Sequence, residues 1–380
     1  MEVAARAGRL RELMARAGCD ALLVSNLSNV RYLSGFSGSA GVLFVREGDA
    51  VLLTDGRYAT QAPAEVGRAG AAVRMEVVTA GGRAAVLADL ASGLARVGLE
   101  AEHVSWSDQR AYGESWARGT ELLPTTGLVE RLRQCKDAGE VARIARAASI
   151  ADEAFGAVLA MLEQGPTESE VAGALDAEMR RLGAEAPAFA TIVASGPSAA
   201  EPHHHPSGRR IVAGDLVMMD FGARSDGYCS DMTRTVRAGE AEPAPRLRRA
   251  VAAVLASQDA GLCAVRDGTP AAEVDRACRE VLEAAGLGEF FVHGTGHGVG
   301  LDIHEAPALG APSTDILACG QVVTVEPGVY FPGLGGVRCE DTVVVTEAGC
   351  ELLTLAPKQA QAPEGAGVPG RTEGPLVGFN

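Results

Sequence analysis

Residues 216–236 read LVMMDFGARSDGYCSDMTRTV, two runs of strand-forming residues on either side of a short polar segment containing glycine. The pattern predicts an antiparallel hairpin turning around Ser225 and Asp226, which sets Asp220 directly opposite Asp231 on one face. Like charges so placed destabilise a hairpin unless something offsets them. Either both are solvent-facing turn residues, as Asp226 is expected to be, or they hold a cation in common.

Later segments favour the cation. In TVEPGVY (324–330), Glu326 ends the apolar strand QVVTV and precedes Pro327 and Gly328; in GVRCED (336–341), Glu340 lies on a second strand reached through the loop YFPGLGG. Neighbouring strand ends bring both carboxylates inward. Alternation alone leaves Glu340 and Asp341 as alternatives, because adjacent side chains point to opposite faces. His297 lies in GTGHGVG, where missing side chains let the backbone and the imidazole approach a ligand. Four carboxylates meeting at one buried spot repel and take up protons unless cations hold them. Two divalent ions cancel the charge, and an ion pair about 3.5 Å apart can share a water and lower its pKa toward neutrality. His203, His293 and His304 are further candidates for the same cleft. His204 and His205 are given no role, since consecutive side chains rarely converge on one ion.

The rest of the chain bounds the class. Its 380 residues suggest two domains, and 47% apolar residues supply ordinary cores. A formal charge of -15, with no block of basic residues, argues against nucleic acid or an anionic membrane as partner. Eight scattered cysteines without a CxxC pair read as reduced thiols. The N-terminal MEVAARAGRLRELMARAGCDALLV reads as an amphipathic helix entering a strand, without the apolar core of an export signal. No apolar run approaches the roughly 18 residues of a membrane span, so cytoplasm is the expected location.

Residues 1–127 alternate strand and helix patterns, including DALLVSN, GVLFV and AVLLTDG, and predict an α/β domain. Residues 128–356 predict an α+β domain with antiparallel strands. In it, one long helical run goes from Leu128 to Gly165 and Pro166, and further helices span about 168–182 and about 245–264. Residues 357–380, rich in Pro, Gly and Ala, are expected to form a disordered tail.

At this point the motifs match a family. SGPSAAEPHHHPSGRRIVAGDLVMMDFG, GYCSDMTRT, HGTGHGVGLDIHE, VEPGVY and GVRCEDT resemble the ordered motifs of the pita-bread metallopeptidases (family M24), in the branch of aminopeptidase P and prolidase. NVRYLSGFSGSAG and LLTDGRYATQA resemble their creatinase-like N-terminal domain. The resemblance implies a dinuclear site held by Asp220, Asp231, His297, Glu326 and Glu340, with Asp231 and Glu340 bridging both ions. It favours Glu340 over Asp341. It makes His203 a proton shuttle and lines the substrate cleft with His293 and His304, while Tyr330 and Arg338 orient substrate or the bridging carboxylates. An oxygen-rich site with one imidazole suits manganese, cobalt, zinc or iron; the resemblance favours manganese and a homodimer.

The expected activity follows from the same resemblance. An Xaa-Pro bond is a tertiary amide with no N–H, so a peptidase that needs that donor cannot recognise it. The expectation is a dinuclear-metal-dependent peptidase that hydrolyses the Xaa-Pro bond at the N-terminus of peptides, with a proton relay through Glu326 and His203 and with His304 also in the catalytic set. The alternative is a prolidase acting on Xaa-Pro dipeptides. Methionine aminopeptidase resembles neither the N-terminal domain nor the contexts of Tyr330 and Arg338, and creatinase does not keep the five ligands. A peptide-binding module without activity fits poorly with an intact ligand set.

Overall fold

The computed structural model describes residues 3–79 and 81–358. The first half is built on a six-stranded sheet, in the order Arg74–Val77, Ala50–Thr54, Gly41–Arg46, Ala21–Val24, Arg96–Glu100 and Glu121–Thr125. The two pairings made by Gly41–Arg46 are antiparallel and the others parallel. Strands covered on both faces have no reason to alternate in sequence, which is why ALLV and AVLLT read as continuous apolar runs. Leu23, Phe44 and Leu53 pack on one face against Leu87, Leu90 and Trp116. Leu22, Leu43 and Leu52 pack on the other with the helix residues Leu10, Met14 and Leu33. This second core continues into Ile144, Tyr228, Val299 and Val344, so one apolar cluster joins the two halves of the chain.

The second half is antiparallel, with helices on the outside. The strands Leu216–Phe221 and Met232–Arg237 form the hairpin, flanked by Ile192–Ser195. Val217, Met219 and Phe221 pack outward against the helices Ala138–Val158 and Glu168–Arg181, where Phe155 stacks on Phe221 at 6.0 Å. By alternation Met218 and Asp220 face inward. A five-stranded sheet contains Gly296–Gly298, Val322–Val325 and Asp341–Val345. Its outer face packs on the helices Pro245–Ala264 and Ala271–Ala284 through Val323, Val325 and Val343. The inner faces of the two layers meet, and the candidate site lies between them.

Three expectations are corrected. First, Asp220 pairs with Thr233, not with Asp231. Ser225 pairs with Tyr228, so the turn residues are Asp226 and Gly227, with φ of 48° and 80°. A two-residue turn of this kind needs positive φ at both positions and so settles on the Asp-Gly step. The register then sets Asp231 opposite Gly222, on the same face as Asp220 but two pairs further along. Second, the helical run from Leu128 breaks after Gln134 and restarts at Ala138. Asp137 caps the new helix in a reciprocal box with Glu140, while Cys135 bridges to Gln321. Third, the helix Ala271–Ala284 was not anticipated.

The tail expected over residues 357–380 lies outside the described residues apart from Pro357 and Lys358. Among the described residues, no helix is long and apolar enough to cross a membrane. Gly222 tests the register. A Cβ there would stand 1.8 Å from the Ser230 carbonyl oxygen, so Gly222→Ala is expected to lower stability in urea denaturation by about 1–3 kcal/mol. Gly173→Ala, on an open helical position with nothing within 4 Å, is expected to raise it by about 0.5–1 kcal/mol. Equal midpoints for the two variants would contradict the register.

Candidate metal centre

Each of the five expected donors sits at a strand end or in a strand break. Asp220 is the penultimate residue of its strand, and Asp231 immediately precedes the returning one. His297 is central in Gly296–Gly298; Glu326 follows Val322–Val325, and Glu340 immediately precedes Asp341–Val345. Val325 pairs with Asp341, so Glu326 and Glu340 extend neighbouring strand ends. His297 Nε2 lies 3.5 Å from both Asp231 Oδ2 and Glu326 Oε1. One ligand atom from each of Asp231, His297 and Glu340 lies within 4.8 Å of the others. All five donors line one cavity of about 300 Å³.

Glu340 turns into this cavity and Asp341 turns away. The Asp341 carboxylate accepts from Arg234 at 2.7 Å and from Gln258 at 3.0 Å, and the pair with Arg234 is buried on both sides.

The electrostatics fit a cation. Burial raises the pKa of Asp220, Asp231 and Glu340, and the surrounding carboxylates push Asp231 and Glu340 higher still. Glu326 is lifted to about 8, chiefly by burial, against the pull of Arg338. His297 is brought down to about 4 by burial and is therefore neutral at pH 7. Its Nδ1 lies 3.0 Å from the Gly298 carbonyl, which calls for a proton there and leaves the Nε2 lone pair facing the carboxylates. Asp220 Oδ1 is buried without a hydrogen-bond partner. An orphaned carboxylate oxygen among carboxylates whose pKa values burial and mutual repulsion raise, beside a neutral imidazole, makes a donor set that divalent cations complete.

Arg338 organises one side. Its guanidinium donates to Asp220, to Tyr330 Oη at 3.0 Å, to Pro202 O at 3.2 Å and, through Nε, to Thr233 Oγ1 at 2.9 Å. Thr233 donates onward to Glu340 Oε2 at 2.7 Å. Tyr330 Oη also lies 2.8 Å from His293 Nε2, while His293 Nδ1 faces the Gly294 carbonyl at 2.8 Å. His293 therefore accepts the tyrosine proton, and burial lowers its pKa to about 4.

His203, His293 and His304 all line the cavity, with His203 and His304 exposed at its rim. The His304 ring stands edge-on to His297 with centroids 4.4 Å apart. His204, given no role above, has a structural one: its Nε2 lies 2.9 Å from the Glu168 carboxylate beneath the loop. Burial would raise Glu168, but donors from Ser207, Ser195 and His204 hold it at about 2.

Several contributors were missed in the sequence. Thr233 joins Arg338 to Glu340, Thr324 accepts the His297 N–H at 3.0 Å, and Thr342 donates to the Asp231 carbonyl at 2.7 Å. Each lies two residues from a donor carboxylate, so period-two alternation from Asp231, Glu326 and Glu340 would have found them. Phe189, Ile192 and Ile303 give the cavity an apolar wall, of which only Ile303 lies within a quoted motif.

Comparison with known proteins agrees with this architecture. Residues 142–347 match metallopeptidase family M24. The chain belongs to this family. Residues 6–135 match the creatinase/prolidase N-terminal domain, so the fold is a creatinase-like domain followed by a pita-bread catalytic domain. An uncharacterized peptidase of Bacillus subtilis is 39% identical over 354 residues, covering 92% of this chain and 98% of that protein. The structure of an Xaa-Pro dipeptidase from Bacillus anthracis superposes with a TM-score of 0.86 at 38% identity, covering 93% and 98% of the two chains. That of an X-Pro aminopeptidase from Thermotoga maritima gives 0.83 at 35% identity, covering 91% and 98%. The M24 chain described here is thus a metallopeptidase.

The raised carboxylates make a prediction for the metal-free enzyme. Glu326 moves from 4.5 to about 8 on folding, so over that range the folded state holds a proton that the unfolded state has lost, and stability falls as pH rises. His293 and His297, lowered from 6.5 to about 4, act in the opposite sense but only below 6.5. Between pH 6.5 and 8 the raised carboxylates set the sign, and His204, raised above 6.5 against the pull of burial by Glu201 and Glu168, adds to it in the same sense. Denaturation midpoints of the metal-free protein should therefore drop across that window, and saturating manganese should remove the drop. A midpoint that rises with pH without metal would contradict it.

Proposed function

We propose that this enzyme is a two-cation peptidase that hydrolyses the Xaa-Pro bond at the N-terminus of peptides, in the manner of aminopeptidase P. The observation that carries the reading is the convergence of four carboxylates and one neutral imidazole beneath a rim of histidines, in a cavity also lined by Arg338 and an apolar wall. In this reading Asp220, Asp231, His297, Glu326 and Glu340 would hold the ions. Bound divalent cations supply Lewis-acid polarisation of the scissile carbonyl and a water acidic enough to react at pH 7. Glu326 takes the proton from the attacking water, and His203 passes a proton to the prolyl nitrogen as it leaves. His304 and His293 face the substrate. Arg338 keeps Asp220 and, through Thr233, Glu340 in place, while Tyr330 fixes the His293 ring. The wall of Phe189, Ile192 and Ile303 suits an apolar side chain or a pyrrolidine ring.

The runner-up is a prolidase, which acts only on Xaa-Pro dipeptides, and the two similar structures are an Xaa-Pro dipeptidase and an X-Pro aminopeptidase. We further propose manganese as the native metal, a homodimer, a domain boundary at residue 127, a catalytic domain ending at 356 and a cytoplasmic location. All eight cysteines are unpaired, which supports a reducing compartment.

A matched Xaa-Pro dipeptide and Xaa-Pro-Yaa tripeptide, assayed before and after manganese is restored to stripped enzyme, tests the substrate. Cleavage of both supports the proposal, and cleavage of the dipeptide alone supports prolidase. Glu326→Gln is expected to lower kcat by about 10²–10⁴-fold. Wild-type turnover by that variant with metal bound would rule out the relay.

A further inference from the structure

The turn that carries His304 is held by charges outside the donor set. Residues 300–305, GLDIHE, fold tightly: the Gly300 N–H donates to Asp302 O at 3.1 Å, and the Asp302 N–H donates to Glu305 Oε1 at 3.1 Å. A Cβ on Gly300 would stand 2.5 Å from that carboxylate, so a larger residue here would displace Glu305 from its partners. Ile303 and His304 line the cleft, whereas Asp302 and Glu305 bind Arg133.

Arg133 is buried with a side chain only 3% exposed, and it grips both carboxylates with Nη2, at 2.7 Å for Asp302. Lys136 reaches Glu305 at 3.2 Å. Arg133 lies near the end of the 6–135 stretch that matches the creatinase-like domain, and the other end of its fork reaches back to that domain's helix Leu27–Ser34. Arg133 Nη1 donates to Asn29 Oδ1 at 2.7 Å, and Ser28 Oγ donates to Asp302 Oδ1 at 2.6 Å. Asn29 is itself fixed by Glu100 at 2.7 Å and by Glu130. Two cations and two anions from distant parts of the chain therefore meet in one largely buried cluster under His304.

We propose that Arg133 and Asp302 are positioning residues that fix the 300–305 turn so that His304 stands over His297, and that through Ser28 and Asn29 the creatinase-like domain sets the site of its own chain. The inference rests on the reading of His304 as a substrate-facing residue. Misplacing a reacting group by about 1 Å can cost on the order of 10²-fold in rate, so a small rotation of this turn is enough to matter.

Asp302→Ala is the clean probe, because it removes the contacts to Ser28 and Arg133 while Arg133 keeps Glu305 and Asn29 and no buried charge is stranded. The test is a double-mutant cycle of Asp302→Ala and His304→Ala in the full-length, manganese-loaded enzyme, reading kcat and KM on an Xaa-Pro-Yaa peptide together with metal content and thermal midpoint. The expected result is a loss in kcat/KM of about tenfold for Asp302→Ala, none further when it is added to His304→Ala, and substantial recovery with Asp302→Asn. Losses that multiply in the double variant, or unchanged kcat/KM in Asp302→Ala, would overturn the inference and leave the cluster as domain packing. Full activity in His304→Ala would instead overturn the role given to His304, and this inference with it.

Discussion

Four carboxylates share the inner ends of two antiparallel layers with the guanidinium of Arg338, and much of the second half of the chain serves to hold that arrangement. Left to themselves these groups escape repulsion by taking protons, as the upward shifts of Asp231, Glu326 and Glu340 indicate. Backbone pairing prevents them from escaping by moving apart. The Glu340 N–H donates to Thr233 O at 3.1 Å, the Glu326 N–H donates to Thr295 O at 2.7 Å, and Thr342 fixes the carbonyl of Asp231. Pre-organised anions that cannot relax are costly to an empty protein and well suited to divalent cations, so stability and metal capture are two sides of one constraint.

A second set of charges positions the cleft histidines. The loop of His203 is tied down by Glu168, which accepts from Ser195, Ser207 and His204. The turn of His304 is tied down by Arg133 and Lys136. Both anchors are buried, and both work through residues adjacent to the histidine they place. The histidines stay exposed to the cleft while their supports do not, which reconciles access for substrate with a defined geometry.

The donors were legible in the sequence because each stands in a short motif at the end of an apolar strand or, for His297, in a glycine-dense segment. The hairpin register was less so: Ser225-Asp226 and Asp226-Gly227 are both acceptable turns on composition, and only the positive φ at Asp226 and Gly227 decides between them. The helix break at Cys135 is marked locally only by the capping pair Asp137 and Glu140, since no glycine or proline interrupts the periodicity at the break itself. It arises from pairing with residues 320 and 321, far along the chain. The Arg133 cluster was invisible for the same reason, with Arg133 and Glu305 separated by 172 residues. Local chemistry announces itself in sequence, and long-range compensation of charge does not.

The most direct measurement is the stoichiometry of divalent metal bound per chain, by elemental analysis of purified protein loaded with manganese, alongside the variant Asp231→Asn. The account predicts two ions per chain in the wild type and a marked loss in the variant, because Asp231 is buried among the other donors. Failure of the wild-type chain to retain metal, or an unchanged metal content in Asp231→Asn, would contradict it.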